Sequence, residues 1–247
     1  MPDQKTVYIT DDGTNKGFYK FIASTAGDLS AGTLYAAKVH QDASSDTAKS
    51  GFDLTWIVLG SSNNTEIETW INSYDGIDET DYLTDQTNYI TQAEIDDWAE
   101  NGTGDDRYAF LETLRAAEAK GATTEFRKME GININYKGVS NGSVPYMYVA
   151  MSAVEKGMSD LEGDIQLTQN SCGAVYRFGV NSDFNVTRMD PVVVGGEYDA
   201  EALNRCPVDG IANPDNLVVL DDGRVIIGED TSKHVNNMMW VYNPKGQ

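Results

Sequence analysis

Glu229 and Asp230 stand side by side at the end of an apolar run in "RVIIGEDTS", and Asp11 and Asp12 do the same in "KTVYITDDG". Two further acids, Glu130 in "EGININY" and Asp215 in "PDNLVVLDDG", open runs of the same kind. A hairpin turn needs only Asn-Gly or Asp-Gly, so paired acids at strand ends call for another reason. Carboxylates brought together without bases repel, and each raises the other's pKa unless a cation sits among them. No Lys or Arg recurs in these positions, since Arg127 and Lys128 flank Glu130 alone. Asp11, Asp12, Glu130, Asp215, Glu229 and Asp230 are therefore candidate metal ligands, of the hard oxygen type that suits calcium, magnesium or oxidised iron. Taken singly, each acid reads as an ordinary turn or strand-end residue, and only the set argues for metal. Asn213 and Asn216 offer either carbonyl ligands or a shape for the turn around Pro214.

Other chemistry is thinly represented. No catalytic residue is assigned. His234 in "TSKHVNN" lies close enough to the last acid pair to rank as a second-tier candidate for proton transfer, whereas His40 reads as a surface residue. Ser152 and Thr231 end strands, but no G-x-S-x-G or triad spacing supports a nucleophile. Neither a P-loop nor a dinucleotide fingerprint occurs.

The elements that must position these acids are strands, and they recur as a module. "KTVYITDDG", "GTLYAAKVH" and "FDLTWIVLG" form a first copy, with "GFYKFIA" as a hairpin arm or a full strand. "EGININY", "PYMYVAMS", "GAVYRFGV" and "TRMDPVVVGG" form the second, and "PDNLVVLDDG", "RVIIGEDTS" and "NMMWVYNP" a partial third. "GTLYAA" and "GAVYRF" occupy one slot, and "VYITDD" and "VIIGED" another. The predicted class is all-β with a helical insertion, specifically a partial β-propeller of four-stranded antiparallel blades over residues 1–247. In such a fold the starts of first strands and the ends of second strands share one rim, where the six acids would meet. The insertion spans about 61–124. In it, Thr91 and Glu94 have capping-box spacing, and "DDRYAFLETLRAAEAKG" reads as one helix with Phe110, Leu111, Leu114 and Ala117 facing the sheet.

Composition excludes some functions. With 39 acids against 18 bases, a net charge of -21 makes nucleic acid a poor partner. No apolar run approaches a membrane span, and no signal peptide is visible. Two cysteines, Cys172 and Cys206, cannot make a thiolate zinc site. They leave one disulfide or two thiols equally open.

At "MPDQKTVYITDDGTNKGFYKF", "AGDLSAGTLYAAK", "GATTEFRKMEGI", "YVAMS", "CGAVY", "GIANPDNL" and "IIGEDTS", the chain resembles the PhoX-type alkaline phosphatase family. The likeness runs along nearly the whole chain apart from the insertion. It implies a β-propeller holding calcium and iron, hydrolysis of phosphate monoesters, a secreted or periplasmic location, and with it the Cys172–Cys206 disulfide. Glu130, Asp215 and the pair Asp11-Asp12 match family ligand positions. Glu229-Asp230 stand where the family often has Thr-Asp, which leaves the choice between them open. The family's upstream portion, with a cysteine iron ligand, has no counterpart, and propellers have at least four blades. The expectation is thus a C-terminal part of a longer protein, inactive alone and prone to self-association through open propeller edges. The alternatives are a non-catalytic, calcium-stabilised propeller that binds a partner or a glycan, and a lactonase-like propeller with one divalent ion.

Overall fold

Short strands joined by tight turns account for most of the chain. The computed structural model describes residues 1–74 and 90–246, so part of the predicted insertion lies outside the described residues. The elements run β1 (Thr6–Thr10), β2 (Thr14–Lys16), β3 (Phe18–Thr25), β4 (Asp28–Gln41), β5 (Phe52–Asn63), α1 (Asn64–Asn72) and α2 (Gln92–Asn101). They continue with α3 (Arg107–Leu111), α4 (Thr113–Ala119), β6 (Phe126–Arg127), β7 (Met129–Ile134), α5 (Tyr136–Asn141), β8 (Tyr146–Met151) and β9 (Ala174–Val180). β10 (Val186–Val194), β11 (Pro214–Val219), β12 (Val225–Glu229) and β13 (Met239–Tyr242) complete the order.

The modules appear as antiparallel meanders. β1-β3-β4-β5 is the first, β7-β8-β9-β10 the second, and β11-β12-β13 the third. "GFYKFIA" is a full strand, β3, rather than a hairpin arm. The first two meanders are not separate sheets. β5 and β10 pair at Asp53↔Arg188 and Phe52↔Met189, giving one eight-stranded sheet in the order β1-β3-β4-β5-β10-β9-β8-β7. Nor are "VYITDD" and "VIIGED" in equivalent places, because β1 is an outer strand of its sheet and β12 a central one.

Side-chain alternation explains the layers. The sheet curls so that Tyr8 of β1, Phe18 of β3, Val39 of β4, Phe52 of β5, Met189 of β10, Phe178 of β9 and Met129 of β7 share one buried core. β8 is apolar on both faces. Met147, Val149 and Met151 enter that core, while Tyr148 and Ala150 pack on Leu217, Val219, Val225 and Ile227 of the three-stranded sheet. This is why "YMYVAM" shows no polar alternation.

The helices pack outside the sheet. Leu34 and Ala36 of β4 turn away from the main core to meet Trp98, Ala109, Ala116 and Ala117. The capping box is present, with Thr91 Oγ1 accepting from Glu94 N at 3.3 Å and Thr91 N donating to Glu94 Oε2 at 2.8 Å. β5 runs on to Asn63, which caps α1, so the insertion starts later than expected. The single helix expected over 105–121 breaks at Glu112 into α3 and α4. Its fully buried contacts come from alanines rather than Phe110, Leu111 and Leu114, because small side chains let helix and sheet approach closely. His40 is exposed, as expected.

Candidate active site: an acidic cavity at the strand ends

Four separate pairings bring the acids together. β2 and β6 pair at Thr14↔Arg127, and Lys128 N donates to Gly13 O at 2.8 Å, which sets Asp12 beside Lys128. β7 pairs with β8 at Met129↔Met151, placing Ser152 next to Glu130, to which its hydroxyl donates at 2.9 Å. β11 and β12 pair at Pro214↔Glu229, and Asp230 N donates to Asn213 O at 3.2 Å. β7 and β11 cross so closely that a Cβ on Gly131 would meet Asp215 O at 2.0 Å.

The result is a cavity of about 480 Å³ lined by Asp12, Glu130, Asp215 and Asp230, with Arg127, Lys128 and Lys233 on its walls. Asp215 is hydrogen-bonded to the carboxyl of Glu130. Burial, then Glu130, Asp230 and Asp12, push the Asp215 carboxyl up to about 6. Lys128 Nζ reaches Asp12 and Glu130 at 2.9 Å each, and those two carboxylates hold its ammonium above the usual lysine value. Lys128, which along the sequence flanks Glu130 alone, thus joins two of the acids in space. Lys128 and Asn213 each stand two residues before a cavity acid and adopt left-handed φ angles of 53° and 44°. Such conformations store strain of order 1–3 kcal/mol and cluster at functional sites. Asn213 uses its side chain on the Ser152 and Ser171 carbonyls and accepts from Thr231, so it shapes the turn, while Asn216 is exposed.

The other three sequence candidates point elsewhere. Asp11 does not line the cavity and pairs with Lys16 at 3.6 Å. Glu229 is turned inward, because neighbouring residues of a strand face opposite ways. It accepts from Ala212 N, Met238 N, Trp240 Nε1 and His234 Nδ1 at 2.7 to 3.0 Å. His234 is buried behind it, with Nε2 at 3.2 Å from Pro207 O, and has no access to the cavity. Glu229 and His234 thus form a structural pair; of the two neighbouring acids, Asp230 lines the cavity and Glu229 does not.

Sequence reasoning passed over Lys233 and Glu155, which also line the cavity. Lys233 sits three residues beyond Asp230, and a base so near an acid pair in a base-poor chain was a usable signal. Cys172 and Cys206 form a disulfide, which resolves the open question.

A family model for alkaline phosphatase PhoX matches residues 1–247. The chain belongs to the PhoX alkaline phosphatase family. Among solved structures, Pseudomonas fluorescens PhoX in complex with vanadate, a transition state analogue, is similar in fold to this PhoX family member. The TM-score is 0.63 at 18% identity, over 97% of this chain and 40% of that one, so the chain spans less than half of that relative's length. No curated protein matches the sequence.

Proposed function

We propose that this chain carries part of the metal centre of a metal-dependent phosphomonoester hydrolase. The observation that supports this most is the convergence of Asp12, Glu130, Asp215 and Asp230 on one cavity. All four are hard oxygen donors, and the burial and the crowding by neighbouring acids that raise the Asp215 carboxyl would be offset by a cation. Among the described residues no group of three His, Cys, Asp or Glu side chains is arranged to hold an ion. The Glu130–Asp215 pair supplies two adjacent donors, and Asp12 and Asp230 extend them. On this reading these four residues contribute ligands to the cations, calcium and iron by family resemblance.

A bound cation would neutralise phosphate charge and stabilise the charge that develops as the ester bond breaks. Ser152 orients the Glu130 carboxylate, and Lys128 bridges Asp12 and Glu130. In the same proposal the meanders are blades of a β-propeller, and the protein is secreted or periplasmic, an address in keeping with the disulfide. Among the described residues no helix is long and apolar enough to cross a membrane. Self-association through β13, which ends its sheet with Met239 and Val241 exposed, belongs to the same reading.

Calcium titration by calorimetry tests the assignment. Asp215→Asn should weaken binding at least tenfold, and an unchanged affinity would sink it. The chain alone, supplied with calcium and iron, should not release phosphate from a chromogenic monoester. Calcium-dependent stabilisation of the complete architecture with no hydrolysis would instead favour a binding module.

A further inference from the structure

The cavity holds three bases, and they are not equivalent. Lys128 lies between two carboxylates, at 2.9 Å from each. Arg127 pairs with Glu155 at 3.3 Å and donates to Thr14 Oγ1. Lys233 has no carboxylate within ion-pairing distance among the described residues, and its ammonium donates only to the neutral carbonyl of Ser171. Burial lowers its pKa; among the charges around it Glu155 acts most strongly and opposes this, while Arg205 and Arg127 add to it. An ammonium has three donors; besides the Ser171 carbonyl, the described partner of this one is the Tyr198 ring, whose centre lies 5.6 Å away.

Its position is fixed from both sides of the disulfide. Ser171, which takes the ammonium, precedes Cys172, and Cys206 N donates to Lys233 O at 3.3 Å. Lys233 N donates to Thr231 Oγ1 at 2.9 Å, and Arg205 holds the neighbouring Ser232 through its carbonyl at 2.7 Å and hydroxyl at 3.1 Å. The cavity therefore combines clustered acids suited to a cation with one base, Lys233, that has no carboxylate in ion-pairing distance among the described residues.

We propose that Lys233 binds the phosphate dianion of the substrate, held in place by the Cys172–Cys206 crosslink; this rests on the phosphomonoesterase reading above. A lysine that is already neutralised, like Lys128, gains little from a phosphate, whereas an unpaired one forms a charge-assisted hydrogen bond.

Inorganic phosphate binding to the calcium-loaded chain, measured by calorimetry, tests this. Lys233→Gln should weaken phosphate binding at least tenfold, and Lys233→Arg should stay within about threefold of wild type. Calcium affinity should be unchanged in both. In the wild-type protein labelled with ¹⁵N-lysine, phosphate should shift the Lys233 side-chain resonance, a readout that does not depend on how the variants fold. Undiminished phosphate binding by folded Lys233→Gln, or an unmoved Lys233 resonance while phosphate binds, would overturn the role of Lys233 and leave the phosphatase reading standing. A calcium-loaded wild type that binds no phosphate would overturn both.

Discussion

The main-chain carbonyl of Asp215 lies 2.0 Å from where a Cβ on Gly131 would stand. No real Cβ tolerates that contact, and the obstacle is backbone rather than a movable side chain. The residues on either side of the contact, Glu130 and Asp215, are the two acids whose carboxyls touch. The missing side chain at Gly131 is what lets β7 and β11 bring them together.

Gly131→Ala should therefore separate the two strands. Overpacking of this kind costs about 1–3 kcal/mol, which lowers Tm by several degrees in a chain of this size. Calcium affinity should fall with it. Gly179→Ala is the control, because a Cβ there meets nothing within 4 Å. Equal Tm values for the two variants would contradict the close approach.

Glu229 should govern acid stability. Burial raises its pKa, but hydrogen bonds from His234, Trp240, Met238 and Ala212 outweigh this and hold it below its ordinary 4.5. A carboxyl lowered in the folded state contributes stability that is full above the unfolded value and is lost as pH falls through the folded one. Urea unfolding should show a decline below about pH 4.5 in wild type. Glu229→Gln should cost about 1–3 kcal/mol at pH 7 and flatten that decline, since it breaks buried charge-assisted bonds.

Lys20 makes a prediction of the same sign at high pH, although its lowered pKa costs stability at neutral pH. It is buried, its ammonium lies 4.3 Å from the Trp56 ring centre and 4.9 Å from that of Tyr35, and it donates to Asn185 Oδ1 at 2.8 Å. Burial lowers it from 10.5 to about 8. Between those values the unfolded chain binds a proton that the native chain has released, so stability rises with pH. The ring faces favour the ammonium, which holds the gain to about 1 kcal/mol. Measured as a difference, wild type should gain on Lys20→Met from pH 8 to 10.5, and parallel curves would refute the assignment.

Reducing the disulfide should destabilise the chain. Cys172 and Cys206 are 34 residues apart, and a loop of that length corresponds to about 4 kcal/mol in the chain-entropy model. Chemical denaturation with and without dithiothreitol gives the comparison. An unchanged midpoint would mean that the hydrogen bonds around Asn213 and Lys233 hold this region without the crosslink.

The strand modules were legible because period-two patterning and turn residues are local signals, and every quoted run became a strand. The joining of two meanders through β5 and β10 was not legible, because it rests on only two residue pairs, Asp53↔Arg188 and Phe52↔Met189. The break at Glu112 was equally hidden, because an apolar stripe does not reveal how near the sheet comes.

Sequence alone determined which acids stand at or beside strand ends, since residue type and strand periodicity are properties of short segments. Tertiary structure decided which of them share a cavity. Asp230 faces it and Glu229 does not, although they are neighbours, because strand pleating sends adjacent side chains to opposite sides. It also decided that Lys128 is neutralised while Lys233 is not, since a charge is paired by what lies across space rather than along the chain.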